Sequence, residues 1–214
     1  MIHGIIIYIN FMKRRIIMKY KNIVFDFGNV LAAFKEEELS QRFCTNEADS
    51  QLFKKLVFDN WQYLDEGSVE LSDYIETALS QAPEHLKTDI TNYFNIWYKH
   101  LIPLTDTWDF VKELKEAGYS VYILSNAPVQ FAEHAAECYG VVKEFDGIVF
   151  SAPIQLAKPE PEIYHYLFNT YNLKPEECFF IDDKPSNIEA GKTLGMNGII
   201  FTGDIEAVKK AIDF

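Results

Sequence analysis

Short apolar runs alternate with helical patterns from residue 22 to the end of the chain. The runs are flanked by Gly, Asp or Asn, as buried parallel strands usually are, and they predict strands over 22–27, 119–125, 145–151, 177–183 and 197–203. Helical patterns lie between several of them, at 105–118, 185–195 and 204–212. This alternation predicts an α/β fold: a three-layer, doubly wound, Rossmann-like parallel sheet with helices on both faces.

The stretch after the first predicted strand has a different pattern. Apolar residues recur at helical spacing over 35–44, 49–64, 71–82 and 85–101, with no strand pattern among them. We therefore expect an all-helical cap at 34–103, inserted into a catalytic core formed by 19–33 and 104–214. Segment 31–34 and Pro103 are the expected hinges. Trp61, Tyr63, Trp97 and Tyr98 are expected to pack inside the cap.

The first 18 residues carry an apolar run, MIHGIIIYINFM, that is followed by basic residues. A secretory signal has the opposite order, and a bilayer span needs about 20 apolar residues. We expect residues 1–18 to be an extension outside the compact domain, with a peripheral apolar segment or an extra strand as the alternative. The resulting expectation is a cytoplasmic protein with no membrane partner.

Composition narrows the possible functions. The chain has 214 residues, which is long enough for one sizeable core. Its formal net charge is −12, which makes it poorly suited to bind nucleic acid. Its three cysteines are far apart, which argues against a disulfide framework or a zinc site. Either a monomer or a homodimer is compatible with these features.

Polar residues stand at the carboxyl ends of the predicted strands, where doubly wound sheets bind ligands. They are Asp26, Ser125 with Asn126, and Asp182 with Asp183, joined by Lys158 in front of the helix that follows the third strand. Neighbouring carboxylates repel unless a cation joins them, and hard oxygen ligands favour Mg²⁺. A lysine and a hydroxyl can hold phosphate oxygens while an aspartate attacks phosphorus. The sequence thus predicts a Mg²⁺ site and a small phosphorylated metabolite as ligand.

Four stretches, IVFDFGNVL, YILSN, AKPEPEIY and FFIDDKPSNIEAGKTLG, resemble the four motifs of the haloacid dehalogenase superfamily, subfamily IA with a type 1 helical cap. The resemblance implies that Asp26 is the nucleophile and that Ser125, Asn126 and Lys158 bind phosphate. It also implies that Mg²⁺ is held by Asp26, Asp183 and the Gly28 carbonyl, with Asp182 a direct ligand or a partner of one. DEGSVELSDY (65–74) resembles the cap turn that faces substrate, which makes Glu66 a candidate substrate-binding residue.

Gly28 departs from the commonest pattern, because most phosphatases of this superfamily carry Asp there as a general acid and base. The subgroup containing bacterial α-D-glucose-1-phosphate phosphatase has glycine at this position, which favours a sugar phosphate. The missing proton would then come from Glu66, Asp65 or water. A metal-independent 2-haloacid dehalogenase and a non-enzymatic binding or regulatory relative are the alternatives. The acid pair and the retained motif residues favour the phosphatase.

Overall fold

The computed structural model describes residues 19–214, so the expectations for residues 1–18 lie outside the described part of the chain. Its strands are β1 (Asn22–Phe25), β2 (Ala32–Ala33), β3 (Ile102–Pro103), β4 (Ser120–Ser125), β5 (Gly147–Phe150), β6 (Cys178–Asp182) and β7 (Asn197–Ile200). Five of them form one sheet in the order β5-β4-β1-β6-β7, and every neighbouring pair is parallel. The predicted strands are confirmed, but each is shorter than its apolar run.

Helices cover both faces of this sheet. Ile23 and Phe25 of β1 pack into one apolar cluster with α6 (Thr105–Ala117), α7 (Val129–Cys138) and α10 (Ile205–Ile212). Val24 packs into a second cluster with α8 (Pro161–Tyr171) and α9 (Pro185–Thr193). Successive residues of a strand point to opposite faces, so both faces of β1 are apolar and buried. The predicted three-layer α/β fold is confirmed.

A helical insert lies between β2 and β3. It consists of α1 (Glu36–Phe43), α2 (Glu47–Phe58), α3 (Gln62–Glu66), α4 (Leu71–Gln81) and α5 (Glu84–Ile96), followed by a 3₁₀ turn at Trp97–Lys99. The single helix predicted over 49–64 is wrong, because the chain turns after Phe58 and restarts as α3. The helix predicted over 85–101 also ends early, in that 3₁₀ turn. The boundaries 34–103 stay a prediction.

The two crossings between core and helical insert are joined to each other. Ala32 pairs with Pro103 and Ala33 with Ile102 in an antiparallel β2–β3 ladder. The Leu31 carbonyl also accepts hydrogen bonds from the Leu104 N–H at 3.0 Å and the Trp108 indole at 2.7 Å. The sequence predicts these segments only as hinges and does not predict the β2–β3 ladder. A two-residue strand has too little periodicity to be recognised in a sequence.

Aromatic side chains fill the helical insert. Tyr93 is fully buried among other rings, and Trp97 and Tyr98 are buried as expected. The prediction for Tyr63 is wrong, since 44% of its surface is exposed. Trp61 is half-buried and reaches the pocket described below. Among residues 19–214, no helix is both long and apolar enough to cross a bilayer.

Candidate active site

Strand register brings the predicted polar residues to one edge of the sheet. Phe25 lies beside Ile123 on one side and Ile181 on the other. Asp26 and Asp182 therefore lie one residue beyond this row of paired residues. Ser125 and Asp183 lie two residues beyond it. Asp26, Ser125 and Asp183 line a cavity of about 400 Å³ between the sheet edge and the helical insert.

Asp26 is buried at the bottom of this cavity, with 6% of its surface exposed. Its Oδ1 accepts the Phe27 N–H at 2.7 Å and lies 2.9 Å from the Lys158 ammonium. Burial raises the pKa of Asp26; Lys158 opposes the shift, and the Asp182 carboxylate adds to it. The contacts of Oδ1 fix the carboxyl group in one orientation.

Lys158 is buried with two carboxylates around its ammonium group. Its Nζ donates to Asp182 Oδ2 at 2.7 Å and to the Leu124 carbonyl at 2.8 Å, in addition to its contact with Asp26. Burial acts to lower the pKa of Lys158, but Asp26 and Asp182 outweigh it and the pKa is raised overall. The lysine is therefore charged at neutral pH.

Asn126 holds the backbone of Lys158 through its side-chain amide. Its Nδ2 donates to the Lys158 carbonyl and its Oδ1 accepts the Lys158 N–H, each at 2.8 Å. Ser125 is buried next to Asn126, and its hydroxyl makes a long contact of 3.5 Å to the Asn126 carbonyl. The Ser125 side chain also acts on Asp26, where its hydrogen bond lowers the pKa of that carboxyl group. The Asn126 side chain positions the backbone of Lys158.

Asp182 is fully buried, and both of its oxygens are already bonded. Oδ1 accepts the Lys184 N–H at 2.7 Å and the Asn187 amide at 3.1 Å. Oδ2 accepts the Lys158 ammonium at 2.7 Å and the same amide at 3.0 Å. Of the two roles left open by the sequence, this geometry favours the partner of a site residue over the direct metal ligand.

Asp183 has the opposite character. Its Oδ2 accepts the Asn29 amide at 3.0 Å, while its buried Oδ1 has no hydrogen-bond partner. A buried carboxylate oxygen without a partner carries an energetic penalty unless something else binds it. Asp183 is therefore the acid of this pair that has a free oxygen to offer.

The three acids are suited to a divalent cation. Carboxylate oxygens of Asp26, Asp182 and Asp183 lie within 4.8 Å of one another, and among the acid pair Asp183 has the oxygen without a partner. These three carboxylates outnumber the two lysines that line the cavity, Lys158 and Lys184. Oxygen donors and this excess charge fit Mg²⁺. Gly28 lines the same cavity.

The side of the cavity away from these acids is aromatic. Phe34, Phe58, Trp61 and Trp97 of the insert and Phe131 of the core form a continuous wall, with the Trp61 and Trp97 rings 4.8 Å apart. Trp61 and Trp97 therefore face the cavity as well as packing in the insert. We call these five residues the aromatic wall.

A family model for haloacid dehalogenase-like hydrolases matches residues 20–195, which is most of the chain. The chain belongs to this family. It is therefore a hydrolase of the haloacid dehalogenase superfamily, as its four motifs predict, while subfamily IA and the type 1 cap stay predictions.

Several known proteins are similar to this hydrolase over most of their length. It is 28% identical to a D-ribitol-5-phosphate phosphatase from Bacteroides thetaiotaomicron, over 82% of this chain and 88% of that protein. It is 26% identical to a sesquiterpene phosphatase from Aspergillus oryzae, over 87% and 92%. The fold is similar to that of a Bacteroides thetaiotaomicron enzyme of the family, whose structure was solved with magnesium and inorganic phosphate. The TM-score is 0.66 and the sequence identity 24%, and the match covers 88% of this chain and 98% of that one.

The structure separates two acids that are adjacent in the sequence. Asp65 lines the cavity, whereas Glu66 is exposed and lines a neighbouring cleft with Gln155 and Glu160. Lys158 lines both the cavity and this cleft. Glu66 does not line the cavity that holds Asp26, and its substrate-binding role stays a prediction.

The sequence did not point to Asn29 and Asn187 as site residues. The Asn29 amide donates a hydrogen bond to Asp183, and the Asn187 amide donates to Asp182. Asn29 follows Gly28 with φ of 57°, a left-handed conformation that asparagine tolerates. Its position beside the nucleophile was the available signal. Asn187 lies in the first turn of α9, and only its contact with Asp182 distinguishes it from an ordinary polar helix residue.

Proposed function

We propose that this hydrolase is a Mg²⁺-dependent phosphatase that cleaves small phosphate monoesters through an aspartyl-phosphate on Asp26. The observation that carries the proposal is the buried Asp26–Lys158 contact next to the free oxygen of Asp183. A nucleophile, a cation for the phosphate and a metal ligand lie within one cavity. The phosphatase names of both relatives support the same activity.

Asp26, Asp183 and the Gly28 carbonyl would hold the metal, and Asp182 would hold Lys158 beside it. When bound, Mg²⁺ would neutralise the repulsion between the Asp26 carboxylate and a phosphate dianion. Asp182 already accepts four hydrogen bonds within the protein. Its role would be to keep the lysine charged and directed at the phosphate.

The reaction uses groups that the cavity already holds in place. Lys158 and the Ser125 hydroxyl bind phosphate oxygens as charge and hydrogen-bond donor. The observed contacts of Asp26 fall on Oδ1, so Oδ2 is the oxygen that attacks phosphorus. The bond from phosphorus to the leaving oxygen breaks as the bond to Oδ2 forms. Water then attacks the phosphoryl group, and Asp26 and inorganic phosphate are released.

The leaving group would lie against the aromatic wall. Such a surface suits an organic group with an apolar face, and the C–H face of a sugar ring is one example. A sugar phosphate remains our favoured substrate, supported by the Gly28 subgroup resemblance. The other sequence predictions also stand as proposals: no nucleic acid or membrane partner, a monomer or homodimer, and a cytoplasmic location.

The alternatives fit this cavity less well. A metal-independent dehalogenase has no use for the free Asp183 oxygen or for a cluster of three carboxylates. A non-enzymatic relative has no need of a nucleophile held in one orientation by a backbone N–H and a lysine. Both remain outcomes of the test below.

The test measures phosphate release with and without Mg²⁺ from glucose 1-phosphate, glucose 6-phosphate, ribitol 5-phosphate and p-nitrophenyl phosphate, with halide release from 2-chloropropionate as a control. We expect Mg²⁺-dependent turnover that Asp26→Asn abolishes and that Asp109→Asn, an exposed control, leaves intact. Metal-free halide release without phosphate release would identify a dehalogenase. The absence of both would favour the non-enzymatic protein.

A further inference from the structure

The position beside the nucleophile that usually carries an acid is open in this protein. A Cβ at Gly28 would have no heavy atom within 4 Å beyond its chain neighbours, and the φ angle of Gly28 lies outside the left-handed region. Neither packing nor backbone conformation therefore requires glycine there. The residue leaves a space in the cavity wall beside Asp26, and no side chain at position 28 can supply a proton.

Asp65 is the acid of the helical insert that combines partial burial with a place in this cavity. It lies near the end of α3, and the cavity it lines also holds Asp26 and Lys158. Glu36 lines the cavity too, but its side chain is exposed in the first turn of α1.

The turn that carries Asp65 is docked on the core. The Ser151 hydroxyl, fully buried, donates to the Asp65 carbonyl and accepts the Ala127 N–H at 2.9 Å. Gly67, with φ of +68°, packs so closely that a Cβ would lie 2.5 Å from the Ala152 carbonyl oxygen. Gln155 adds a bond to the Gly67 carbonyl at 3.3 Å. These contacts hold Asp65 at the cavity while the insert is closed on the core.

The surroundings of Asp65 favour its protonated form. Burial raises the pKa of Asp65 to about 8, and the Asp26 carboxylate adds to the shift. The ammonium of Lys184 is the main group that opposes the shift, and Trp61 and Lys158 oppose it less. A carboxyl group with such a pKa is largely protonated at neutral pH and can act as a general acid there. Asp65 thus has a proton to give at the pH where an exposed carboxylate does not.

We propose that Asp65, reaching across from the helical insert, is the proton donor that replaces the acid absent at Gly28. The inference rests on the proposed phosphatase activity. As the bond from phosphorus to the leaving oxygen breaks, that oxygen takes the Asp65 proton and departs as an alcohol. The Asp65 carboxylate then takes a proton from water as that water attacks phosphorus and the bond to Asp26 breaks. Both groups return to their starting states.

The experiment compares kcat/KM of wild type and Asp65→Asn on an alkyl phosphate and on p-nitrophenyl phosphate. This ratio reports the steps up to departure of the leaving group. An alkoxide needs a proton in order to leave, so we expect a loss of about 10²–10⁴-fold on the alkyl phosphate. p-Nitrophenolate leaves without one, so we expect less than about a threefold change on that substrate.

Three further variants separate chemistry from structure. Asp59→Asn changes an exposed acid just before α3 and should match wild type on both substrates. Glu66→Gln tests the neighbouring acid. Adding Gly28→Asp to Asp65→Asn should restore turnover of the alkyl phosphate, because the open space beside Asp26 receives the new carboxyl group. A merely structural loss would not be restored in this way.

The inference would be overturned if wild type and Asp65→Asn had equal kcat/KM on the alkyl phosphate. It would also be overturned if Glu66→Gln, and not Asp65→Asn, lost kcat/KM on the alkyl phosphate alone. An equal loss on both substrates without rescue would also overturn it, since Asp65 would then be structural. In these cases wild type still hydrolyses p-nitrophenyl phosphate, so the phosphatase proposal survives. If wild type released phosphate from neither substrate, the proposed function itself would fail and this inference with it.

Discussion

Lys158→Met tests the buried charge network most directly. The ammonium of Lys158 contacts Asp26 at 2.9 Å and Asp182 at 2.7 Å, and its side chain is almost wholly buried. Methionine keeps most of the volume but removes the charge and the donors. Breaking a buried pair by deleting one partner costs about 3–5 kcal/mol, because the charges left behind have no compensation.

Two structural details place the expected loss near the lower end of that range. Asp182 keeps its bonds to the Asn187 amide and the Lys184 N–H, and Asp26 keeps the Phe27 N–H. The Leu124 carbonyl loses its bond from the ammonium, which adds about 1 kcal/mol. We therefore expect the free energy of unfolding without Mg²⁺ to fall by about 3–4 kcal/mol at neutral pH.

The loss should depend on pH in a defined direction. Lys158 lowers the pKa of Asp26, so its removal raises that pKa further above the value in the unfolded chain. A carboxyl group with a raised pKa in the folded state destabilises the protein as pH rises through that pKa. The deficit of Lys158→Met should thus be larger in the neutral to mildly alkaline range than in the mildly acidic range.

Urea unfolding of wild type and Lys158→Met across this pH range measures the effect. Lys112→Met is the matched control, because that side chain is exposed and does not line the cavity, and its expected change is within about 0.5 kcal/mol. Phosphate release by Lys158→Met should also fall by about 10²–10³-fold. A deficit below about 1 kcal/mol, or one that does not vary with pH, would refute the electrostatic account of this site.

Four further substitutions test other parts of the structure. Gly28→Asp should fold normally, since its side chain meets open space, and should raise turnover of alkyl phosphates; a loss of folded protein in circular dichroism would contradict this. Tyr93→Phe should leave urea stability unchanged or improved because its buried hydroxyl has no partner, whereas Tyr139→Phe should lose about 1–2 kcal/mol because its hydroxyl bonds the Tyr98 carbonyl and the Leu101 N–H. Asp183→Asn should reduce the Mg²⁺-induced rise in melting temperature, and an unchanged rise would remove Asp183 from the metal site.

Much of the fold follows from local patterns in the sequence. The apolar runs predict the five strands of the main sheet because a strand buried on both faces must be apolar throughout. Polar residues that end these runs then reach one edge whatever the details of packing. The positions of Asp26, Ser125 and Asp183 at the cavity were therefore predictable, as was an all-helical segment after β1.

The division of work among neighbouring acids was decided only by the tertiary structure. Asp182 ends β6 and points into the protein, while Asp183 lies just beyond the strand and keeps a free oxygen. Asp65 and Glu66 are consecutive on α3, where side chains diverge by about 100°, so only one of them faces the cavity. Sequence spacing locates an acid on an element, but its direction depends on how that element docks. Here the docking is set by long-range contacts such as Ser151 with the Asp65 carbonyl.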